Sequence, residues 1–119
     1  MKIMKTHKDL EVWKKSIELV TDVYSITASF PKEEQYGIIS QMRRASVSVP
    51  SNIAEGFGRK STGELKQFIG IAKRSLSELE TLIIISANLN YIDKDRKLRL
   101  EKMITELFRI IGGLNRSLS

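Results

Sequence analysis

Apolar residues recur at steps of three and four along most of this 119-residue chain, which is the spacing of a helix face. Leu10, Trp13, Ile17, Val20, Tyr24 and Thr27 step 3-4-3-4-3. They predict a first helix over residues 9–28, with Asp9 near its N-cap and this seam toward the core. A second apolar line, Val12, Leu19, Val23 and Ile26, lies one residue behind, about 100° around the helix. The two lines are wider than one bundle core needs. They fit either a deeply packed helix or a core face plus a subunit interface, and the second is the preferred expectation. Phe30-Pro31 interrupts the pattern, because the residue before proline resists the helical conformation. A second helix is expected from Lys32 or Glu33, where Glu33 and Glu34 suit the positive end of the helix dipole. Its seam is Ile39, Met42, Ser46, Val49, Ile53 and Phe57, and Gly56 and Gly58 end it. The seam runs straight through Pro50. An interior proline removes one backbone hydrogen bond and crowds the carbonyl of Ser46, so a kink is expected there. The hydroxyls of Ser46, Ser48 and Ser51 are expected to satisfy the freed groups.

Ser61-Thr62-Gly63-Glu64 reads as a capping box and opens a third helix that continues to about Asn88. Leu65, Phe68, Ala72, Ser75, Leu79, Leu82, Ser86 and Leu89 form its seam, widened by Ile69, Leu76 and Ile83. Ile84 and Ile85 fall off this face and repeat the double surface of the first helix. After a turn, Asp93 is the expected N-cap of a fourth helix reaching about Leu118, with the seam Leu100, Ile104, Leu107, Ile111, Leu114 and Leu118. Gly112-Gly113 implies close packing there or a frayed end. No useful length shows strand alternation. The expected fold is therefore an all-α, antiparallel, up-down-up-down four-helix bundle over residues 9–119, preceded by a basic, flexible lead-in over residues 1–8.

Composition adds limits. A 41% apolar content supplies a core, and 29% charged residues place the chain among globular proteins rather than disordered ones. The absence of cysteine excludes disulfides and thiolate metal sites and fits a reducing cytoplasm. The apolar run at residues 82–85 is too short for a bilayer, and the basic start lacks the apolar stretch of a secretory signal, so no membrane partner is expected. The formal charge of +6 favours polyanionic partners.

One stretch is least ordinary: QMRRASVSVPSNIAEGFGR, residues 41–59. It resembles the signature of the four-helix-bundle family of 23S rRNA-intervening-sequence proteins. Three flanking pieces fit the same family: Asp9-Leu10-Glu11-Val12-Trp13, Phe30-Pro31-Lys32-Glu33-Glu34-Gln35-Tyr36-Gly37 and Ser75-Leu76-Ser77-Glu78-Leu79-Glu80-Thr81. The four motifs arrive in the right order over roughly residues 8–92, most of the chain. The resemblance implies a small antiparallel bundle that assembles into a ring, a homopentamer. It also implies kinship with the basic accessory proteins of diversity-generating retroelements, which bind nucleic acid and a reverse transcriptase. It supplies no settled biochemical activity. Where the family pattern tends to carry a leucine-glycine pair, this chain has Lys73-Arg74, which makes that part of the third helix more basic.

An enzyme is hard to assemble from these residues. The one histidine, His7, sits in the lead-in, so Ser-His-Asp and Cys-His centres have no base. The Glu-x-x-His pairs of di-iron bundles are missing, as are a P-loop and a dinucleotide fingerprint. A carboxylate pair from different helices, such as Glu55 with Glu78, is the arrangement that would suit a hard cation. No catalytic residue, cofactor or metal is expected. The basic residues are the better candidates, as phosphate contacts to nucleic acid and above all to RNA: Lys14, Lys15, Arg43, Arg44, Arg59, Lys60, Lys66, Lys73 and Arg74. Arg59, Lys60, Lys66, Lys73 and Arg74 have only Glu64 against them, whereas the basic run at residues 94–102 is diluted by Asp93, Asp95 and Glu101. The bland reading is a solvated charged face. Asn52, Glu55 and Arg59 share one face of helix two. With Glu78 they read either as a buried polar network that fixes the kink and the subunit register or as part of an RNA surface, and the first is preferred. Few aromatic residues are free to stack on bases, so contacts to phosphate and shape are expected rather than base readout. The expectation is a non-enzymatic, ring-forming, cytoplasmic nucleic-acid binder. The alternative is a protein-interaction scaffold whose charge only aids solubility.

Overall fold

A computed structural model describes residues 6–118. Four α-helices make up nearly all of it: α1 (Glu11–Thr27), α2 (Ile38–Phe57), α3 (Thr62–Asn88) and α4 (Lys94–Ser117). The described residues contain no strand. Each helix packs on its neighbours in the chain, and α4 closes against α1; the diagonal pairs α1–α3 and α2–α4 make no close backbone approach. The α2–α3 interface is the most extensive. Its contacts run in opposing chain order. Ser86 Oγ lies 3.5 Å from Met42 Sδ, Ser75 Oγ donates to Ser48 Oγ at 2.8 Å, and Gly56 abuts Phe68 and Leu65.

The core follows the helical seams. Ile39, Met42, Val49 and Ile53 of α2 meet Ile69, Leu76, Leu79 and Ile83 of α3, and Leu100, Ile104, Leu107 and Ile111 of α4 fill the other side. Helix ends match their local chemistry. The Ser61 hydroxyl accepts from the Glu64 amide at 3.1 Å, and Asp93 Oδ1 accepts from the Arg96 amide at 2.8 Å. These caps satisfy donors that a helix start leaves unpaired. Asn90, in the α3–α4 turn, takes φ 64°, the left-handed region that asparagine tolerates better than most residues. Beside it, Tyr91 donates its hydroxyl to Glu34 at 2.9 Å and packs on Phe30, which ties this turn to the α1–α2 connection. That hydrogen bond to a carboxylate, with burial, pushes the Tyr91 pKa up.

Several expectations need correction. On α1 the second apolar line carries the core, and the first joins it only at its ends, where Leu10 and Trp13 pack on the core and Thr27 is buried. Val12, Leu19, Val23 and Ile26 face the core, while Ile17 and Tyr24 of the supposed core seam are exposed at 39% and 43%. Leu10, not Asp9, holds the N-cap position of α1, and its side chain cannot cap. The lead-in is only partly described: residues 1–5 lie outside the described residues, whereas His7–Asp9 form a 3-10 turn with the His7 ring edge-on to Trp13 at 5.2 Å. Helix two starts later than expected. Lys32–Glu34 form a separate 3-10 turn, and α2 begins at Ile38 after Gly37. From there α2 is continuous through Pro50. The serine hydroxyls near the proline are used elsewhere: Ser46 donates to the Arg43 carbonyl at 2.8 Å, and Ser48 accepts from Asn52 and Ser75.

Candidate nucleic-acid interface

The basic candidates fall into two groups by what they touch. Three are engaged within the chain. Arg43 spans from α2 to the end of α1: its Nε donates to Thr27 Oγ1 at 3.0 Å, its Nη2 to the Tyr24 carbonyl at 3.4 Å, and its guanidinium lies 4.5 Å from the Tyr24 ring centre. A planar fork suits this simultaneous bonding and stacking. Lys15 joins α1 to α4 through Glu106 at 2.6 Å, with Glu11 at 3.7 Å. The hydrogen bond and charge of Glu106 raise the Lys15 pKa, and Lys15 in turn lowers that of Glu106. Arg59 sits at the α2–α3 corner, bonded to Glu55 at 2.8 Å, near Glu64 at 3.8 Å, and over the Phe68 ring at 4.8 Å.

Lys14, Arg44, Lys60, Lys66, Lys73 and Arg74 form no ion pair among the described residues. They do not converge on one groove. Lys14 is exposed on α1 and Lys60 on the turn before α3. Arg44 and Glu78 line a cleft of about 440 Å³ along the α2–α3 groove, with Gln41, Ala45, Ser48 and Ser75. Lys66 and Lys73 border the α3–α4 groove with Gly70, Gly112 and Asn115, and the Arg74 guanidinium folds toward Gly70. The basic run near the start of α4 is partly neutralised, through Arg96–Asp93, Lys97–Glu101 and Arg99–Asp22 pairs.

The expected network of Asn52, Glu55, Arg59 and Glu78 is not one unit. Glu55 and Arg59 are exposed and pair with each other, and Glu78 belongs to the Arg44 cleft. One turn of helix separates Asn52 from Ser48, so Asn52 bonds back to the Ser48 carbonyl and hydroxyl at 2.8 and 2.9 Å. Ser75 completes this chain from α3. The half-buried link between α2 and α3 is thus Asn52–Ser48–Ser75. The sequence signal available was Ser75 on the seam of helix three and Asn52 one turn after Ser48 on helix two.

The sequence model of the 23S rRNA-intervening sequence protein family matches residues 8–113. The chain belongs to this family. Residues 8–113 reach from the turn before α1 almost to the end of α4, so all of the bundle of this 23S rRNA-intervening sequence protein family member except the last turn of α4 is covered. Among solved structures, the chain is similar to a protein of unknown function from the S23 ribosomal protein family of Bacteroides thetaiotaomicron. That likeness has a TM-score of 0.79 at 19% identity and covers 87% of this chain and 97% of the other. At that identity it speaks for a shared fold. No curated protein matches the chain. Within the family member, the signature at residues 41–59 forms α2 and the corner after it, where Arg43 and Arg59 act as ties between elements. The Lys73-Arg74 departure lies on exposed α3 surface and leaves the core seam untouched.

Proposed function

We propose that this family member is a non-enzymatic, ring-forming helical bundle that binds nucleic acid, with RNA favoured, through its basic surfaces. The observation that carries the reading is the set of cations without an ion pair, with Lys66, Lys73 and Arg74 together on one stretch of α3. A side chain that neither pairs nor bridges elements leaves its charge available to a phosphate backbone. The family name, which refers to an intervening sequence in 23S rRNA, supports the same class of partner.

Assembly into a ring, in the proposed form a homopentamer, rests on a different surface. Trp13, Ile17 and Val20 of α1 and Val47, Pro50 and Ala54 of α2 line an outward apolar groove, and Ile84 and Ile85 add exposed apolar area on α3. Such patches on soluble chains mark interaction sites. Pro50 stands in this groove, and the proposed bend there would set its shape. Pro50→Ala is expected to change the oligomer mass; an unchanged mass and unchanged stability would remove the proline from the account. A monomer by light scattering at micromolar concentration would refute the ring. The same groove favours a second reading, a protein-interaction scaffold in the cytoplasm that does not touch nucleic acid.

Salt dependence separates the two. Counterion release gives log K against log[salt] a slope of about −0.9 per neutralised phosphate on duplex DNA and about −0.7 on single strands. Changing Lys66, Lys73 and Arg74 together to glutamate should weaken binding across sequences alike and flatten that slope. A wild type that binds neither duplex nor structured RNA above the level of any basic protein overturns the nucleic-acid reading and leaves the scaffold.

A further inference from the structure

Four glycines, Gly63, Gly70, Gly112 and Gly113, stand inside helices where the packing of the chain does not ask for them, and two of these, Gly70 and Gly112, face one another across the α3–α4 groove. A Cβ added at Gly70 of α3 would come no closer than 3.7 Å to its nearest neighbour, an Arg74 nitrogen. At Gly112 of α4 the nearest neighbour would be an Arg116 nitrogen at 3.5 Å. Both are ordinary contacts with the tips of flexible side chains. Alanine would fit either position and would favour the helix more than glycine does. Gly56 is different, since a Cβ there would strike Phe68 at 2.9 Å and Leu65 at 3.0 Å. The space kept clear above Gly70 and Gly112 is therefore not explained by the fold.

The two glycines border one notch of about 70 Å³ in the α3–α4 groove, with Lys66, Ile69, Lys73, Ile111 and Asn115. That is several times the roughly 10–15 Å³ that one water needs on the same measure, so the notch admits a group of a few heavy atoms. Its chemistry is one-sided. No carboxylate lines it, and Lys66, Lys73, Arg74 and Arg116 form no ion pair among the described residues. Asn115 adds an amide donor. Ile69 and Ile111 supply its apolar wall, and the net charge of the residues around it repels a cation. A compact oxyanion meets both the size and the charge, and lysine is a common point-charge partner for phosphate.

We propose that the Gly70–Gly112 notch is a seat for a single phosphate group, which takes one backbone phosphate of a nucleic-acid strand between Lys66 and Lys73. The proposal rests on the nucleic-acid reading and locates one of its contacts. It assigns the glycines a purpose: a β-carbon at either would occupy the volume of the anion.

The test keeps charge constant while filling the notch. Gly70→Ala, Gly112→Ala and the double variant are compared with the wild-type chain and with Lys66→Ala/Lys73→Ala. Binding of a single-stranded RNA oligonucleotide is read by fluorescence anisotropy at low salt, and inorganic phosphate is titrated while backbone amide resonances are followed. The expected result is a phosphate-dependent shift of the Gly70 and Gly112 amides in the wild type. In the glycine variants that shift is lost, and oligonucleotide affinity falls about tenfold, the loss of one charge-assisted contact, without a fall in melting temperature. If the double glycine variant binds the oligonucleotide as the wild type does, the seat is overturned and the nucleic-acid reading stands. Weakening by the lysine changes alone has the same meaning, because the charges then act through their diffuse field. If the wild type responds to inorganic phosphate but binds no oligonucleotide, the backbone-phosphate assignment falls together with the nucleic-acid reading, and the notch is a site for free phosphate.

Discussion

Gly56→Ala should destabilise the protein, whereas Gly70→Ala and Gly112→Ala should not. Gly56 lies in the last turn of α2, where the helix passes closest to α3. Its missing side chain is filled by Phe68 and Leu65: a new Cβ would sit 2.9 Å from the Phe68 Cβ and 3.4 Å from the Leu65 carbonyl oxygen. The Phe68 Cβ is bound directly to the helix backbone, so a rotamer change cannot clear it. The helices must separate by several tenths of an ångström, at the interface with the most contact. Forcing one extra carbon into such packing costs about 1–3 kcal/mol. Better helix propensity offsets at most about 1 kcal/mol, and less at a helix end. A net loss of roughly 1–2 kcal/mol follows, or a melting temperature lower by about 4–8 °C. The two open-space glycines give the opposite sign, a gain of up to about 1 kcal/mol each. Urea denaturation read by circular dichroism, with unchanged m values, measures all three. A Gly56→Ala protein at least as stable as the wild type would refute the claim that the close approach is required.

Other outcomes can be checked in the same way. Glu106 has its pKa lowered by Lys15, so its contribution is present at neutral pH and is lost as pH falls through its folded-state value, below the ordinary carboxylate range. Glu106→Gln should therefore flatten the loss of stability between about pH 7 and pH 3; equal acid sensitivity in both proteins would mean that the bridge contributes nothing measurable. At Asn90, substitution by glycine should be neutral or slightly stabilising, while valine should cost about 1–2 kcal/mol, because a β-branched residue resists φ 64°. Thermal melts of the two variants decide this. Arg43→Met should loosen the α1–α2 contact and lower stability even at high salt, since the bonds to Thr27 and Tyr24 are geometric rather than long-range. A melting temperature unchanged in high salt would contradict that role.

The helical seams were legible in the sequence because each needs only period and polarity: the seam residues of α2, α4 and α3 as far as Ser86 lie buried or half-buried, and only Leu89, at the end of the third seam, is exposed. The error on α1 has a physical cause. The line Leu10 to Thr27 keeps the more regular 3-4 spacing, but periodicity alone cannot say which of two apolar stripes faces the core. The late start of α2 was hidden because Glu33 and Glu34 suit a 3-10 turn as well as a helix start. The site was less legible than the fold. Lys15 and Glu106 are remote in the chain, and Arg43 meets Tyr24 across a turn. Nothing local distinguishes these engaged cations from Lys66 or Lys73. Tyr36 is 94% exposed, free of the contacts that hold Tyr91.

The lack of close backbone approach between diagonal helices has a consequence for the order of assembly. α2 and α3 are adjacent in the chain, joined by a short capped turn, and share the largest interface. Their pairing closes a small loop, whereas α1 meets α4 only after almost the whole chain is in place. The α2–α3 hairpin should therefore behave as the earliest cooperative unit, and the α1–α4 seam as the last to zip and the first to open. Slow amide exchange in the hairpin and earlier exchange along α1 and α4 would be its signature, and it would leave α1, with its outward apolar groove, as the element easiest to detach from the bundle.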